Sequence, residues 1–96
     1  MTRARLMRHR KRRYDDGMIV EMVLWEVPEP VRGSKHGLKY SLFYGSEKAR
    51  LIDYDNEAGK GDHRHYGAFE EPYRFTTPKR LLEDFLADVR AVRRRG

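Results

Sequence analysis

Asp15-Asp16-Gly17-Met18-Ile19-Val20-Glu21-Met22-Val23-Leu24-Trp25-Glu26-Val27 is the stretch on which the fold turns. Asp-Gly between two strand-forming runs signals a hairpin, because glycine readily takes the left-handed backbone of a tight turn. Arg3 to Tyr14 and Met18 to Val27 are therefore expected to pair. In the second run Met18, Val20, Met22 and Leu24 line one face; Ile19, Val23, Trp25 and Val27 line the other, broken only by Glu21. A strand apolar on both faces belongs inside a sheet. Pro28 and Pro30 end it, and residues 29–37 carry the Pro, Gly and Ser of a loop. Outward from there, Leu38, Tyr40, Leu42 and Tyr44 alternate with Lys39, Ser41 and Phe43, which predicts a third strand. Gly45-Ser46-Glu47 turns the chain into a fourth, Lys48 to Asp55. Residues 56–69 show no sustained apolar periodicity, hold three glycines and read as a long structured loop with room for a short strand near His63 to Tyr66.

The last element has a start signal and a stripe. Thr77 suits an N-cap, and Pro78 suits the first helical position, where its missing N–H costs nothing. Leu81, Leu82, Phe85, Leu86, Val89 and Val92 recur at helical spacing, so a helix is expected over 78–94. Its stripe needs a partner surface, and a face of the sheet is the one of sufficient size. The fold class is thus α+β: a four-stranded antiparallel meander, a C-terminal helix on one face, and a long loop between them. Residues 1–96 are read as one domain, since a chain of this length supports one hydrophobic core.

The absence of cysteine excludes disulfides, thiolate metal sites and a cysteine nucleophile. Apolar runs fall far short of the roughly 20 residues of a membrane helix. No apolar segment follows the basic N-terminus, so a secretory signal does not fit and a cytoplasmic location is expected, with no membrane partner.

The net charge of +6 is unevenly placed. Residues 1–13, a basic strand or arm, hold seven of the 21 Lys and Arg and no acid, which leaves the remainder at 14 against 15. Arg90, Arg93, Arg94 and Arg95 make the other end basic as well. Arg8, Arg10, Lys11, Arg12, Arg13, Arg93 and Arg94 are the candidate nucleic-acid contacts, because guanidinium groups suit phosphate. The bland alternative is a solvated strand and a helix end whose cations offset the helix dipole.

The His-rich segment 56–69 concentrates the side chains that acid-base or metal chemistry needs. His63-x-His65 on extended backbone sends both rings to one face. They can share a metal, completed by Asp55, Glu57 or Asp62. Metal-free, cofactor-free RNA cleavage uses the same residues more economically. One imidazole takes the ribose 2′-hydroxyl proton, the other protonates the leaving 5′ oxygen, Lys60 and Arg64 stabilise the phosphorane, and Asp62 orients a ring. His9 and His36 stand apart, in a basic stretch and a loop. Gly59-Lys60-Gly61 lacks the full phosphate-loop spacing, so nucleotide hydrolysis does not fit. Equally, Asp55, Asn56 and Asp62 are ordinary turn residues. Trp25, Tyr73 and Phe75 read as packing groups.

Tyr54-Asp55-Asn56-Glu57, Gly59-Lys60-Gly61-Asp62-His63-Arg64-His65 and Glu70-Glu71-Pro72-Tyr73-Arg74-Phe75 resemble the pattern of the TumE family, described as toxins of toxin-antitoxin pairs. Asp16-Gly17, Ile19-Val20-Glu21-Met22 and Trp25-Glu26-Val27-Pro28-Glu29-Pro30 extend the resemblance over nearly the whole chain. It implies a growth-inhibiting protein with a cognate antitoxin, often a helix-turn-helix DNA-binding protein, and it carries no assignment of a mechanism. Two functions follow: a toxin acting on RNA as a small endoribonuclease through the His segment, or a non-catalytic nucleic-acid-binding or regulatory subunit acting through its basic termini.

Overall fold

Asp15, Asp16 and Gly17 form a three-residue hairpin loop. The Tyr14 N–H donates to Met18 O at 2.8 Å, the Gly17 N–H donates to Tyr14 O at 3.0 Å, and Gly17 sits at φ 87°. In a computed structural model, which describes residues 3–95, this turn joins β1 (Arg5–Arg13) to β2 (Ile19–Glu26). β3 (Leu38–Gly45) and β4 (Arg50–Glu57) follow, then β5 (Gly61–Tyr66), β6 (Phe69–Pro72) and the helix α1 (Pro78–Arg95). The first two residues of the basic N-terminal segment lie outside the described range. The architecture is α+β. All neighbouring strands are antiparallel, in the order β1-β2-β3-β4-β5-β6.

The meander therefore has six strands among the described residues, not four, and most of 56–69 is sheet rather than loop. β5 and β6 escape an apolar-alternation rule because neither is half apolar. On the helix side Asp62, Arg64 and Glu71 are held by polar partners; the opposite side carries His63, His65 and Glu70.

The helix begins as expected, with the Arg80 N–H donating to Thr77 Oγ1 at 3.1 Å. Leu81, Phe85 and Val89 are buried against Val20, Leu24, Leu42, Ile52 and Tyr54. These apolar side chains form the core, and removing them from water supplies the main stabilisation. Tyr54 and Tyr66 both donate to Asp88 Oδ2, tying β4 and β5 to the helix. Burial pushes the Tyr54 hydroxyl far above its ordinary range, so it stays a donor. Tyr73 is in the core, as expected of a packing aromatic.

Because α1 covers one face, the other is open. Trp25 lies there, 37% exposed, and is not the core residue that its strand suggested. β2 is apolar on both sides, but only the Val20 and Leu24 side meets the helix.

Candidate active site on the open face

Cross-strand partners put their side chains on the same face of a sheet. Asp55 pairs with His63, Asp53 with His65, and His65 with Glu70, so β4, β5 and β6 bring two imidazoles and three carboxylates together on the open face. The two rings lie 5.0 Å apart between centroids. Asp53 is taken by Arg50, whose Nε and Nη2 each donate to it at 2.8 Å. That leaves Asp55, His63, His65 and Glu70.

His63 is buried. Its Nδ1 lies 2.9 Å from Gly61 O, and since a carbonyl only accepts, Nδ1 carries a proton and donates it there. Nε2 then faces inward, 2.7 Å from Asp55 Oδ1 and 3.7 Å from Glu70 Oε2. Asp55 Oδ1 is itself buried and accepts no hydrogen bond, so its approach to His63 is close without being in line. Burial pushes the Asp55 carboxyl above the usual carboxylate range; His63 draws it back in part and Glu57 adds to the rise. His65 is nearer solvent, with Nε2 2.9 Å from Glu70 Oε2. Among the described residues, Asp55, His63 and His65 form a group able to hold a metal, their ligand atoms lying within 4.8 Å of one another.

Two hollows flank the cluster. One of about 240 Å³ is lined by Lys60, Asp62, His63, Glu70, Glu71 and Pro72; the other, about 260 Å³, lies between Trp25, Lys39, Ser41 and Asp55. A larger cavity, about 490 Å³, is elsewhere, between β1 and α1, and is lined by Met7, Leu24, Leu82, Leu86, Arg8 and Arg90 among others. It carries no imidazole, so the chemistry-bearing groups and this cavity are separate features.

The five residues expected to act together divide between the two faces. His63 and His65 share the open face, and Lys60 stands beside them at the β4–β5 turn. Asp62 and Arg64 alternate with the histidines and point to the helix side. Asp62 accepts from Ser34 at 2.5 Å and Tyr40 at 2.7 Å and pairs with His36 at 2.6 Å; it does not orient His63 or His65. Arg64 donates to Glu71 at 2.6 Å and to the Tyr54 hydroxyl at 3.2 Å, so its guanidinium is held away from the histidines. His36 does not stand apart, since its ring also stacks on Phe75 at 3.8 Å. The carboxylates that stand beside the two histidines are Asp55 and Glu70. The alternation rule places Asp55; the position of Glu70 follows from the register of the Gly67-Ala68 turn.

The basic set divides too. Arg8, Arg10 and Arg12 pair with Leu24, Met22 and Val20 and so stand on the helix side, while Lys11 and Arg13 face the open side. All nine residues of β1 are exposed. Arg93 is engaged internally: it donates to the Tyr44 hydroxyl at 2.9 Å, pairs with Asp16 at 3.2 Å and lies over the Tyr14 ring at 3.7 Å. Arg94 is exposed.

A family model described as Toxin TumE matches residues 3–93. No curated protein and no solved structure matches the chain.

Proposed function

The chain belongs to the TumE toxin family, and on that premise we propose that it acts on RNA, cleaving the phosphodiester backbone at the open-face cluster. One observation carries this reading: His63 and His65 share a face with Asp55 and Glu70, and the far edge of that same face is the basic strand β1. Four strand spacings separate β1 from β5, about 19 Å. On that face Lys11 lies in one cross-strand row with Glu21, Phe43, Asp53 and His65, while Trp25 and Lys39 pair with each other on the other side of the row of Ser41, Asp55 and His63. Trp25 offers a stacking surface and the cations hold phosphate.

Depth supports a division of roles. His65, half-buried beside Glu70, is the imidazole placed to exchange a proton with the ribose 2′-hydroxyl or the leaving 5′ oxygen; Glu70 holds the ring and shares the proton load. His63, 5% exposed, is too deep to reach that oxygen directly and acts on the site through Asp55. Lys60, exposed at the rim, is the cation for the phosphorane.

Membership of a toxin family calls for an antitoxin. We take it to be a helix-turn-helix DNA-binding protein and the site of action to be the cytoplasm. No helix among the described residues is long and apolar enough to cross a membrane.

A second reading has its own support. With every residue of β1 exposed and six of its nine side chains Arg or Lys, the chain can hold nucleic acid without cutting it. Induced expression separates the two. If RNA cleavage is the activity, His65→Ala and Glu70→Gln restore growth and RNA integrity, and the β1 variants do so only in part. If binding is the activity, Gln at Arg8, Arg10, Lys11, Arg12 and Arg13 restores growth and the His65 variant does not.

A further inference from the structure

The open-face cluster contains an arrangement that an ion-pair network does not need. His9 and His36 each place Nε2 against a carboxylate oxygen, at 2.8 and 2.6 Å, and both approaches are hydrogen bonds. The His63–Asp55 approach is just as close at 2.7 Å, yet Asp55 Oδ1 is buried with no hydrogen bond to it. His63 Nδ1 carries a proton that it donates to Gly61 O. Nε2 is left beside a buried carboxylate oxygen with no hydrogen bond joining the two. An ion touching both gives each the partner that the protein does not supply.

We propose that Asp55, His63 and His65 ligate one divalent transition-metal ion. Two imidazoles and a carboxylate are a donor set for zinc, cobalt, manganese or ferrous iron, whereas magnesium and calcium favour oxygen ligands throughout. Ligand atoms within 4.8 Å of one another suit a small ion bound by all three. The Nδ1–H bond to a backbone carbonyl is the outer contact that fixes the tautomer and aim of a ligating histidine. All three ligands stand on adjacent, directly paired strands, so little ordering is needed on binding. Glu70 Oε2, 2.9 Å from His65 Nε2 and 3.7 Å from His63 Nε2, lies at the rim as a fourth ligand or as the acceptor for a bound water. With an ion in place His63 and His65 are ligands and proton transfer passes to Glu70, which reverses the preference for metal-free chemistry read from the sequence. That consequence rests on the RNA reading; the binding rests on geometry alone.

The test uses the full chain without an affinity tag, freed of metal by chelation and titrated with Co²⁺. A saturable visible d–d spectrum at one equivalent, bleached by one equivalent of Zn²⁺, is expected. Because His63 is buried, the variants are His65→Ala and Asp55→Asn, checked for folding by circular dichroism. Each should lower affinity on the order of tenfold or more, since even outer contacts to metal ligands are worth about 10- to 100-fold. A His9→Ala/His36→Ala variant should bind as the parent does. No saturable binding, binding unchanged in both folded ligand variants, or binding abolished in the His9/His36 variant would overturn the proposal. Saturable binding without RNA cleavage would uphold the ion and remove the RNA reading; cleavage without saturable binding would do the reverse.

Discussion

At Gly61 the backbone adopts φ 75°, and a Cβ there would meet Gly33 O at 2.7 Å; Gly33, at φ 98°, faces the same collision from the other side. These two residues let the loop after β2 lie against the β4–β5 turn, where the Gly59 N–H donates to Arg32 O at 2.7 Å. The contact delivers Ser34 and His36 to Asp62 and fixes the carbonyl that holds His63. Gly61→Ala should therefore destabilise the fold by about 1–3 kcal/mol, the usual cost of a left-handed non-glycine residue, with the added collision pushing toward the upper end. Urea denaturation measures it, and an unchanged midpoint would mean that the loop packs differently. Asp62→Asn should also lower stability, by about 1–3 kcal/mol, because it leaves part of the Ser34, Tyr40 and His36 network unsatisfied. That network was invisible in the sequence. Asp62 and His36 are 26 positions apart, and nothing short of the Gly33–Gly61 contact brings them together. By contrast, the shared face of His63 and His65 was legible from period-two alternation, and the same rule already sends Asp62 and Arg64 to the other side.

The elements that could be read ahead were those whose apolar side chains follow the strand or helix period. β3, β4 and α1 announce themselves because one side is apolar and meets the core, β2 because both its sides are apolar, and the caps at Gly17 and Thr77 mark where the chain turns. β5 and β6 are polar on both faces, since Arg64 and Asp62 replace apolar side chains on the covered side with hydrogen bonds, and no hydrophobic pattern records their pairing. The helix is held by Leu81, Phe85 and Val89, all nearly inaccessible. Phe85→Ala should cost about 3–5 kcal/mol through reduced burial and the cavity left behind, read as a drop in the denaturation midpoint. β1 is a different case, an edge strand with every residue exposed. Its charges protect the edge from pairing with another chain and also offer phosphate contacts. Gln at Lys11 and Arg13 should weaken single-stranded RNA binding and flatten its salt dependence by about 0.7 for each phosphate no longer neutralised. An unaltered salt slope would show that RNA does not cross the open face at β1.

Across the whole molecule, the sheet divides labour between its faces. One carries the helix and the core. The other runs from basic β1, past exposed Trp25, to the cluster of Asp55, His63, His65 and Glu70. An antitoxin that neutralises such a toxin should cover the cluster, the basic edge or both. Co-expression with it should restore growth and give a stable complex in which the Trp25 fluorescence or the Lys11 amine is shielded; a complex leaving both surfaces open would require another mode of inhibition. Cleavage itself is the central claim, and it is tested by incubating the purified chain with end-labelled RNA and with the same RNA carrying a 2′-deoxy substitution at the mapped cut site. Cutting of the all-ribose strand is predicted, with the deoxy site resistant and the rate reduced about a hundredfold or more in His65→Ala while RNA affinity is kept. Full activity in folded His65→Ala, or equal cutting of the deoxy site, would contradict the assignment of the open-face cluster to 2′-hydroxyl-dependent RNA cleavage.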